Sequence, residues 1–273
     1  MNNFIFIHIL FVAERLYMKK ITALIGSAQK KATYEAVREF ERNLKSHTEI
    51  EFEYVFLTDY QIEFCRGCKL CFNKGEKFCP LHDDRDLLID KLIHSDGVIF
   101  ATPNYAFHVS ASMKNLLDRT AFFLHRPYFF GKAFTSIVTQ GIYGGNSILK
   151  YLKNMGENLG YSTAKGCVLK TLEPVTKDAQ KKNSLEIKKA AARFNKVLMR
   201  QTAPSPSMFR LMMFRMSRSS MKEMLNEEYY DYQYYRKNGW FESDYYYEVS
   251  LNPVKKLMGR IFDYIGHRMV SMD

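Results

Sequence analysis

Four cysteines lie within fifteen residues of this 273-residue chain, at Cys65, Cys68, Cys71 and Cys79. Thiolates two residues apart on a loop can close around one metal ion or cluster, whereas cysteines so near in sequence pair poorly into long-range disulfides. The spacing therefore predicts a soft-metal site or free thiols. The fifth cysteine, Cys167, lies in an apolar stretch, which favours a buried side chain over a ligand.

A glycine-led loop is the second candidate site. Residues 26–33 read Gly-Ser-Ala-Gln-Lys-Lys-Ala-Thr and join an expected strand to an expected helix. The backbone N–H groups and the dipole at the start of a helix favour an anion such as phosphate. Ser27 and Thr33 offer hydroxyl donors, and Lys30 or Lys31 offers charge. The sequence predicts an anion site here; a turn that only starts a helix is the alternative.

Two later loops combine rigid, aromatic and small residues. Residues 101–107 place Pro103 ahead of Tyr105 and Phe107, which suits a flat heteroaromatic ring, with a hydrophobic plug as the alternative. Residues 139–145 contain three glycines, which let the backbone approach a ligand closely. Glycine loops also occur without ligands, so the loop at 139–145 is a weak signal alone, but three such loops reinforce one another if they meet at one edge of a sheet.

The elements that must position these loops alternate between short apolar strands and amphipathic helices, which is typical of a parallel sheet. We expect strands at 20–25, 50–57, 97–102, 133–140 and 163–169, and helices at 34–45, 84–94, 110–123, 146–159 and 177–200. This order predicts an α/β, flavodoxin-like, doubly wound five-stranded parallel sheet of order 2-1-3-4-5. Ligands of such sheets bind outside the carboxyl ends of the strands.

The composition changes at Pro204-Ser-Pro206. A methionine-rich segment at 208–225 must pack on other protein surface, and ten aromatic residues follow among residues 229–247. A last helix is expected at 253–269, with Leu257, Ile261, Tyr264 and Ile265 on one side. We therefore divide the chain into an N-terminal extension at 1–17, a flavodoxin-like domain at 18–203 with a Cys-rich insert at 61–83, and a helical Met/Tyr-rich C-terminal extension at 204–273.

The formal net charge of +11 is concentrated in one stretch, since residues 177–222 hold twelve Lys or Arg against two acids. Such a stretch could attract nucleic acid or anionic lipid, but a solvated helix face has the same composition.

The apolar run at 4–12 is too short to span a bilayer and has no Lys or Arg before it. We expect no nucleic acid partner, no stable membrane insertion and a cytoplasmic location, which also fits the cysteine usage.

The three loops resemble the NADPH-dependent FMN reductase branch of the flavodoxin-like superfamily over about residues 18–200. The most specific part runs from Thr102-Pro103-Asn104-Tyr105 to Lys114 and Asp118-Arg119. The resemblance implies that the first loop holds the FMN phosphate and that the second and third flank the isoalloxazine ring. Gln29 stands where the family usually has Arg. The implied cofactor-binding residues are Ser27, Gln29, Lys31, Thr33, Pro103, Asn104, Tyr105, Ala106, Phe107, Thr139, Gln140, Gly141 and Gly144.

The cysteine segment also resembles the insert of iron-sulfur flavoproteins, which binds a 4Fe-4S cluster near the flavin. That resemblance implies Cys65, Cys68, Cys71 and Cys79 as metal ligands. A tetrahedral zinc site and no stable metal are the open alternatives.

The resemblance implies an FMN-dependent NAD(P)H oxidoreductase that passes electrons through flavin to an unknown acceptor, and a homodimer. The alternatives are an iron-sulfur flavoprotein that acts as an electron-transfer carrier and a basic binding protein on an inherited fold. No catalytic side chain is assigned, because the cofactor carries the redox chemistry. The tyrosine-rich segment at 229–247 is interpreted as a lid or dimer contact over the flavin.

Overall fold

The protein was analysed as a computed structural model, in which residues 18–270 are described. The expected N-terminal extension and its apolar run lie outside the described residues. The chain divides into two compact units. The first holds the described residues up to Phe64 together with Asp83–Arg119 and Gly131–Arg200. The second holds Cys65–His82, Thr120–Phe130 and the described residues from Gln201 onward.

Parallel strands form the centre of the first unit. Within the described residues the sheet has six strands in the order β2-β1-β3-β4-β5, with β6 also paired to β4. Their bounds are β1 Lys19–Ile25, β2 Ile50–Phe56, β3 Gly97–Pro103, β4 Ala133–Gln140, β5 Ser162–Thr163 and β6 Cys167–Lys170. Every residue of β3 and β4 is buried, as expected for central parallel strands covered on both faces. The flavodoxin-like fold predicted from the sequence is confirmed.

The helices of the first unit follow the strands as the sequence pattern predicts. The helices in chain order are α1 Ala32–Lys45, α2 Leu70–Asn73, α3 Arg85–Ile93, α4 Ala111–Arg119, α5 Gly145–Asn158 and α6 Lys177–Leu198. The short helix α2 belongs to the second unit and the other five belong to the first. One hydrophobic core joins α1 and α6 to the sheet, and Phe40 and Phe194 meet there edge to face with ring centroids 5.7 Å apart. The first part of the basic stretch at 177–222 therefore forms a helix, Lys177–Leu198, whose other face is buried.

The expected fifth strand is interrupted, so that β5 and β6 pair separately with β4. Gly166 lies in the gap, where an added Cβ atom would stand 1.8 Å from the carbonyl oxygen of Ser136 on β4. Only glycine lets the two backbones come this close, and a glycine inside a strand often marks such an interruption.

We expect Gly166→Ala to destabilise the first unit by roughly 1–3 kcal/mol, because the new methyl group forces β6 away from β4. Gly141→Ala is the matched control, since its nearest new contact would be Leu172 at 3.7 Å. Urea unfolding followed by far-UV circular dichroism measures both. Equal stabilities of the two variants would contradict the close approach at Gly166.

Three helices of the second unit come from the C-terminal part of the chain, and their bounds are α7 Met208–Met224, α8 Tyr230–Lys237 and α9 Pro253–Val270. Tyr235, Trp240 and Tyr245 are buried with Leu211 and Phe214 in a hydrophobic core. These rings are therefore interior side chains of the second unit. A lid or a dimer surface would not require rings that are buried inside the unit. No helix among residues 18–270 is both long and apolar enough to cross a bilayer.

The pair α7 and α9 packs closely. The α9 residues that are buried are Gly259, Phe262 and Gly266, whereas the expected apolar side with Leu257 and Ile261 is exposed. Glycine explains the difference, because an added Cβ at Gly266 would stand 2.7 Å from a backbone oxygen of α7. The side of α9 that carries small residues thus packs inward in place of the side that carries large ones.

Candidate functional site

The first loop of the candidate site leads from β1 into α1. Ser27 is buried and donates to the carbonyl oxygen of Gln29 at 3.3 Å, and Gln29 and Lys31 are exposed. Lys31 is the residue that precedes α1, and its side chain makes no capping hydrogen bond. The first backbone N–H groups of α1 therefore keep their capacity to bind an anion, with a lysine ammonium beside them.

Two buried hydroxyl groups join the first loop to the third. Thr33 Oγ1 and Thr139 Oγ1 lie 2.8 Å apart and share a hydrogen bond, although 106 positions separate the residues in the chain. Gln140 is also buried, and its Oε1 accepts from the N–H of Gly145 at 2.6 Å, so it shapes the third loop. The structure thus brings the first and third predicted loops together at the carboxyl edge of the sheet.

The second loop is a tight turn that displays aromatic rings. The backbones of Tyr105 and His108 exchange two hydrogen bonds, of 3.2 and 3.0 Å. Between them Ala106 and Phe107 adopt left-handed conformations, with φ of 48° and 62°. Non-glycine residues pay a conformational cost in this region, and such strain concentrates at ligand-binding segments. The turn leaves Tyr105 and Phe107 62% and 60% exposed.

The second and third loops contact each other through Asn104 and Tyr143. Asn104 Nδ2 donates to the carbonyl oxygen of Tyr143 at 2.9 Å, and the rings of Phe107 and Tyr143 are 5.3 Å apart. Asn104 Oδ1 is buried and has no hydrogen-bond partner among the described residues. Tyr143 is 66% exposed. The edge of the sheet therefore carries exposed aromatic faces beside an unsatisfied acceptor.

An ion pair fixes the segment that leads from β2 toward the cysteines. Asp83 and Arg119 are both almost fully buried, and Asp83 also accepts from the N–H of Glu63 at 2.8 Å. Burial alone would raise the pKa of Asp83, but hydrogen bonds from Arg119 and from backbone N–H groups outweigh it, and the pKa is lowered. Arg119, one of the residues that carry the family resemblance, thus has a structural role here.

The four clustered cysteines differ in exposure. Cys65 and Cys68 are exposed, and Cys71 and Cys79 are partly buried; none forms a disulfide. Burial raises the pKa of the Cys71 thiol; Arg126 acts in the opposite direction, and the neighbouring Cys65 and Cys68 add smaller raising effects. The thiols of Cys65 and Cys68 therefore lie within electrostatic reach of Cys71. However, no group of three or more His, Cys, Asp or Glu side chains within residues 18–270 has an arrangement that could hold a metal ion.

These exposures predict an order of alkylation in metal-free protein. Cys65 and Cys68 should react with iodoacetamide first and Cys71 more slowly. Burial raises the pKa of Cys167 to about 12, so this thiol stays protonated and its labelling should stay slow when the pH is raised from about 7 to about 9. Peptide mass spectrometry measures the order, with urea-unfolded protein as the control. Early labelling of Cys167 would contradict its burial.

Comparison with known families identifies the class of protein. Residues 19–171 match the family described as NADPH-dependent FMN reductase. This match covers more than half of the chain, and the chain belongs to that family.

Several curated relatives are iron-sulfur flavoproteins by name. One from Archaeoglobus fulgidus is 34% identical over 126 residues, which are 46% of this chain and 55% of the relative. Another, from Methanosarcina thermophila, is 30% identical over 101 residues, or 37% of this chain and 52% of the relative. The chain thus spans about half the length of the curated relatives it matches.

Solved structures support the fold. RosB, solved with bound 8-demethyl-8-formylriboflavin-5'-phosphate, matches with a TM-score of 0.52 and 15% identity over 86% of this chain and 92% of RosB. An NAD(P)H:quinone oxidoreductase from Methanothermobacter marburgensis matches with a TM-score of 0.51 and 15% identity over 64% of this chain and 96% of that protein. At this identity the likeness shows the shared fold alone.

The residues present fit FMN better than they fit a cluster. The uncapped start of α1 suits a phosphate, and the unpartnered Asn104 Oδ1 beside exposed aromatic faces suits a flat ring with polar edges. The cysteines supply the soft donors that iron or zinc prefers, but their placement among the described residues does not form a ligand set. No chemical step is therefore assigned to a metal.

Sequence reasoning did not single out a polar cluster in the second unit. Arg126 is buried there, pairs with Asp231 and Glu76, and donates to the carbonyl oxygen of Cys71 at 2.9 Å. His125 Nδ1 lies 2.8 Å from Asp231 Oδ2. The available signals were a lone acid among tyrosines and the His-Arg pair that follows Leu124, but their separation by about a hundred residues gave no reason to connect them.

Proposed function

We propose that this chain is an FMN-dependent NAD(P)H oxidoreductase that passes electrons from a nicotinamide cofactor through flavin to an acceptor. The observation that carries the proposal is the exposed aromatic cluster of Tyr105, Phe107 and Tyr143 where three loops meet at the carboxyl edge of the sheet. Exposed apolar patches of this kind mark ligand sites, and this edge is where such sheets bind them. Membership of the FMN reductase family supports flavin as the ligand.

The binding residues divide into two groups. In the proposal, the N–H groups at the start of α1, with Ser27, Lys31 and Thr33, hold the phosphate. Because Gln29 offers no charge, the helix terminus and the lysine must balance the phosphate charge. The turn at 103–107 and the third loop would hold the isoalloxazine ring. Buried Thr139 and Gln140 keep that third loop in place.

When bound, FMN would supply the redox chemistry by taking a hydride from NADH or NADPH and giving the electron pair to an acceptor such as a quinone. The work of the protein is to orient the two rings and to exclude water between them. Tyr105 and Phe107, displayed on a strained turn, provide the apolar surface for this stacking. No side chain needs to act as nucleophile, acid or base.

An iron-sulfur flavoprotein that serves as an electron carrier is the second candidate. The names of the curated relatives favour it, and so does the position of Cys65 and Cys68 within electrostatic reach of Cys71. Iron and sulfide analysis of protein purified without air tests it. About four irons per chain would favour the carrier, while iron-free protein that oxidises NADPH would favour the enzyme alone. The homodimer and the cytoplasmic location stay predictions.

Steady-state oxidation of NADPH and NADH tests the proposal. Protein reconstituted with FMN should oxidise at least one nucleotide in the presence of a quinone, and the rate should fall to the background of free FMN when the protein is omitted. Protein that binds FMN yet oxidises neither nucleotide would contradict the enzymatic function and leave the carrier.

A further inference from the structure

The second unit contains a cavity of about 640 Å³ that the flavin chemistry does not use. This volume lies within the range of roughly 300–1,000 Å³ that is usual for small-molecule sites. Its walls come from the segment after Cys68, from the turn at 124–125, and from α7 and α8 with their connections. The lining residues used below are Phe72, His125, Met221, Asp231 and Tyr235.

The walls are mainly apolar and aromatic. Phe72 offers a ring face, Met221 offers a flexible thioether that adapts to the shape of a ligand, and Tyr235, only 1% exposed, lies at the base of the wall. Behind the wall, Trp240 packs against Tyr235 with ring centroids 5.0 Å apart. This composition suits a flat apolar molecule, because ring faces and thioethers give large contact area without a demand for hydrogen bonds.

One polar group in the wall is held in a fixed orientation. His125 stacks on Phe72 with ring centroids 4.3 Å apart, and its Nδ1 lies 2.8 Å from Asp231 Oδ2. The Asp231 side chain is only 4% exposed, and it also pairs with buried Arg126. A carboxylate held in this way orients the imidazole, as the aspartate does in catalytic triads.

The protonation state of His125 defines what this group can bind. Burial lowers the pKa of His125, and the nearby Arg126 lowers it further, so the ring is neutral near pH 7. With the Nδ1 proton donated to Asp231, Nε2 carries a lone pair, for which the described residues supply no donor. Half of the His125 side chain is exposed. The cavity therefore offers a hydrogen-bond acceptor among aromatic and aliphatic walls.

We propose that this cavity binds a flat aromatic molecule that bears a phenolic hydroxyl, with its rings against Phe72 and Met221 and its hydroxyl donating to His125 Nε2. The site goes beyond the proposed oxidoreductase function and does not depend on it. All residues that the inference uses belong to the second unit. If the protein does not bind FMN, this inference is unaffected. If the cavity binds no phenolic ligand, the proposed flavin site is likewise unaffected.

Ligand-observed fluorine NMR tests the site with two probes of one shape, 6-fluoro-2-naphthol and 2-fluoronaphthalene. We expect the naphthol to bind the full chain about five-fold more tightly, which is the usual worth of one neutral hydrogen bond. His125→Phe keeps a ring beside Phe72 but removes the acceptor, so the naphthol should lose this advantage while the affinity of fluoronaphthalene stays the same. Thermal melting of the variant checks that it folds.

A second measurement places the probe and needs no cavity variant. Protein labelled with ¹³C at its methionine methyl groups should show shifts at Met221 when the naphthol is added, with Met221→Leu used to assign that signal. Met113, buried in the first unit, is the internal control and should not shift. Equal affinity for both probes, no binding of either, or shifts that spare Met221 would overturn the inference.

Discussion

Replacing Arg126 with leucine is expected to destabilise the second unit by about 3–5 kcal/mol, because the change removes one partner of a buried ion cluster. The Arg126 and Asp231 side chains are 3% and 4% exposed, and Glu76 Oε2 lies 3.0 Å from the guanidinium. The guanidinium also stacks over the ring of Tyr230 at 4.9 Å. Leucine would leave the carboxylates without their counter-ion and the carbonyl oxygen of Cys71 without its donor.

Urea unfolding followed by tryptophan fluorescence measures this effect. The chain has one tryptophan, and Trp240 is buried in the core of the second unit, so the signal reports on that unit. Arg236→Leu is the matched control, because Arg236 is 62% exposed and its pair with Glu227 lies on the surface. Its loss should cost less than about 1 kcal/mol. Similar midpoints for the two variants would show that the buried cluster does not hold the unit together.

Replacing Gly144 with alanine is expected to weaken FMN binding by about ten-fold or more, since a methyl group forced between the second and third loops costs roughly 1–3 kcal/mol. Gly144 has φ of 99°, and an added Cβ would stand 2.9 Å from the ring of Phe107 and 3.0 Å from Asn104 Nδ2. The new methyl group would therefore push the third loop away from the second and strain the bond between Asn104 and Tyr143.

Gly131→Ala separates this effect from backbone strain in general. Gly131 also has positive φ, at 80°, but nothing lies within 4 Å of the added Cβ, and the residue is outside the three loops. Equilibrium titration with FMN measures both variants. The account is contradicted if Gly144→Ala binds FMN as tightly as Gly131→Ala does.

The first unit was predictable because local pattern and global fold agree. Apolar runs such as Gly97–Pro103 and Ala133–Gln140 are buried along their whole length, and the helices between them begin and end within a few residues of their expected bounds. The fifth strand was expected to be continuous, since its interruption depends on how closely Gly166 approaches β4. The pattern of hydrophobic residues does not indicate how closely two backbone segments approach each other.

The second unit was less predictable because its contacts join distant segments. The sequence placed the cysteine insert within the flavodoxin-like domain, whereas the structure groups Cys65–His82 with Thr120–Phe130 and the C-terminal part. Arg126 joins the segment Cys65–His82 to α8 through its ion pairs with Glu76 and Asp231. The periodicity of hydrophobic residues in the sequence does not predict such ion pairs. Helix α8 was also not expected, since its eight residues are rich in tyrosine, a residue with low helix propensity.

The candidate site was less predictable than the first unit as a whole but more predictable than the second unit. The loops at 26–33, 101–107 and 139–145 were found from their composition, and the parallel sheet brings them to one edge. The roles of individual residues within these loops could not be inferred from the sequence. Gln140 holds the third loop through Gly145, and Ala106 with Phe107 forms a strained turn that propensity alone does not favour.

Titration of FMN fluorescence with the purified protein tests the central claim most directly, namely that the loops around Ser27, Tyr105 and Gly144 form one flavin site. Stacking on aromatic side chains quenches flavin emission, and we expect the quenching to reach a plateau at about one FMN per chain. Emission that stays unchanged as protein is added in excess would contradict the account.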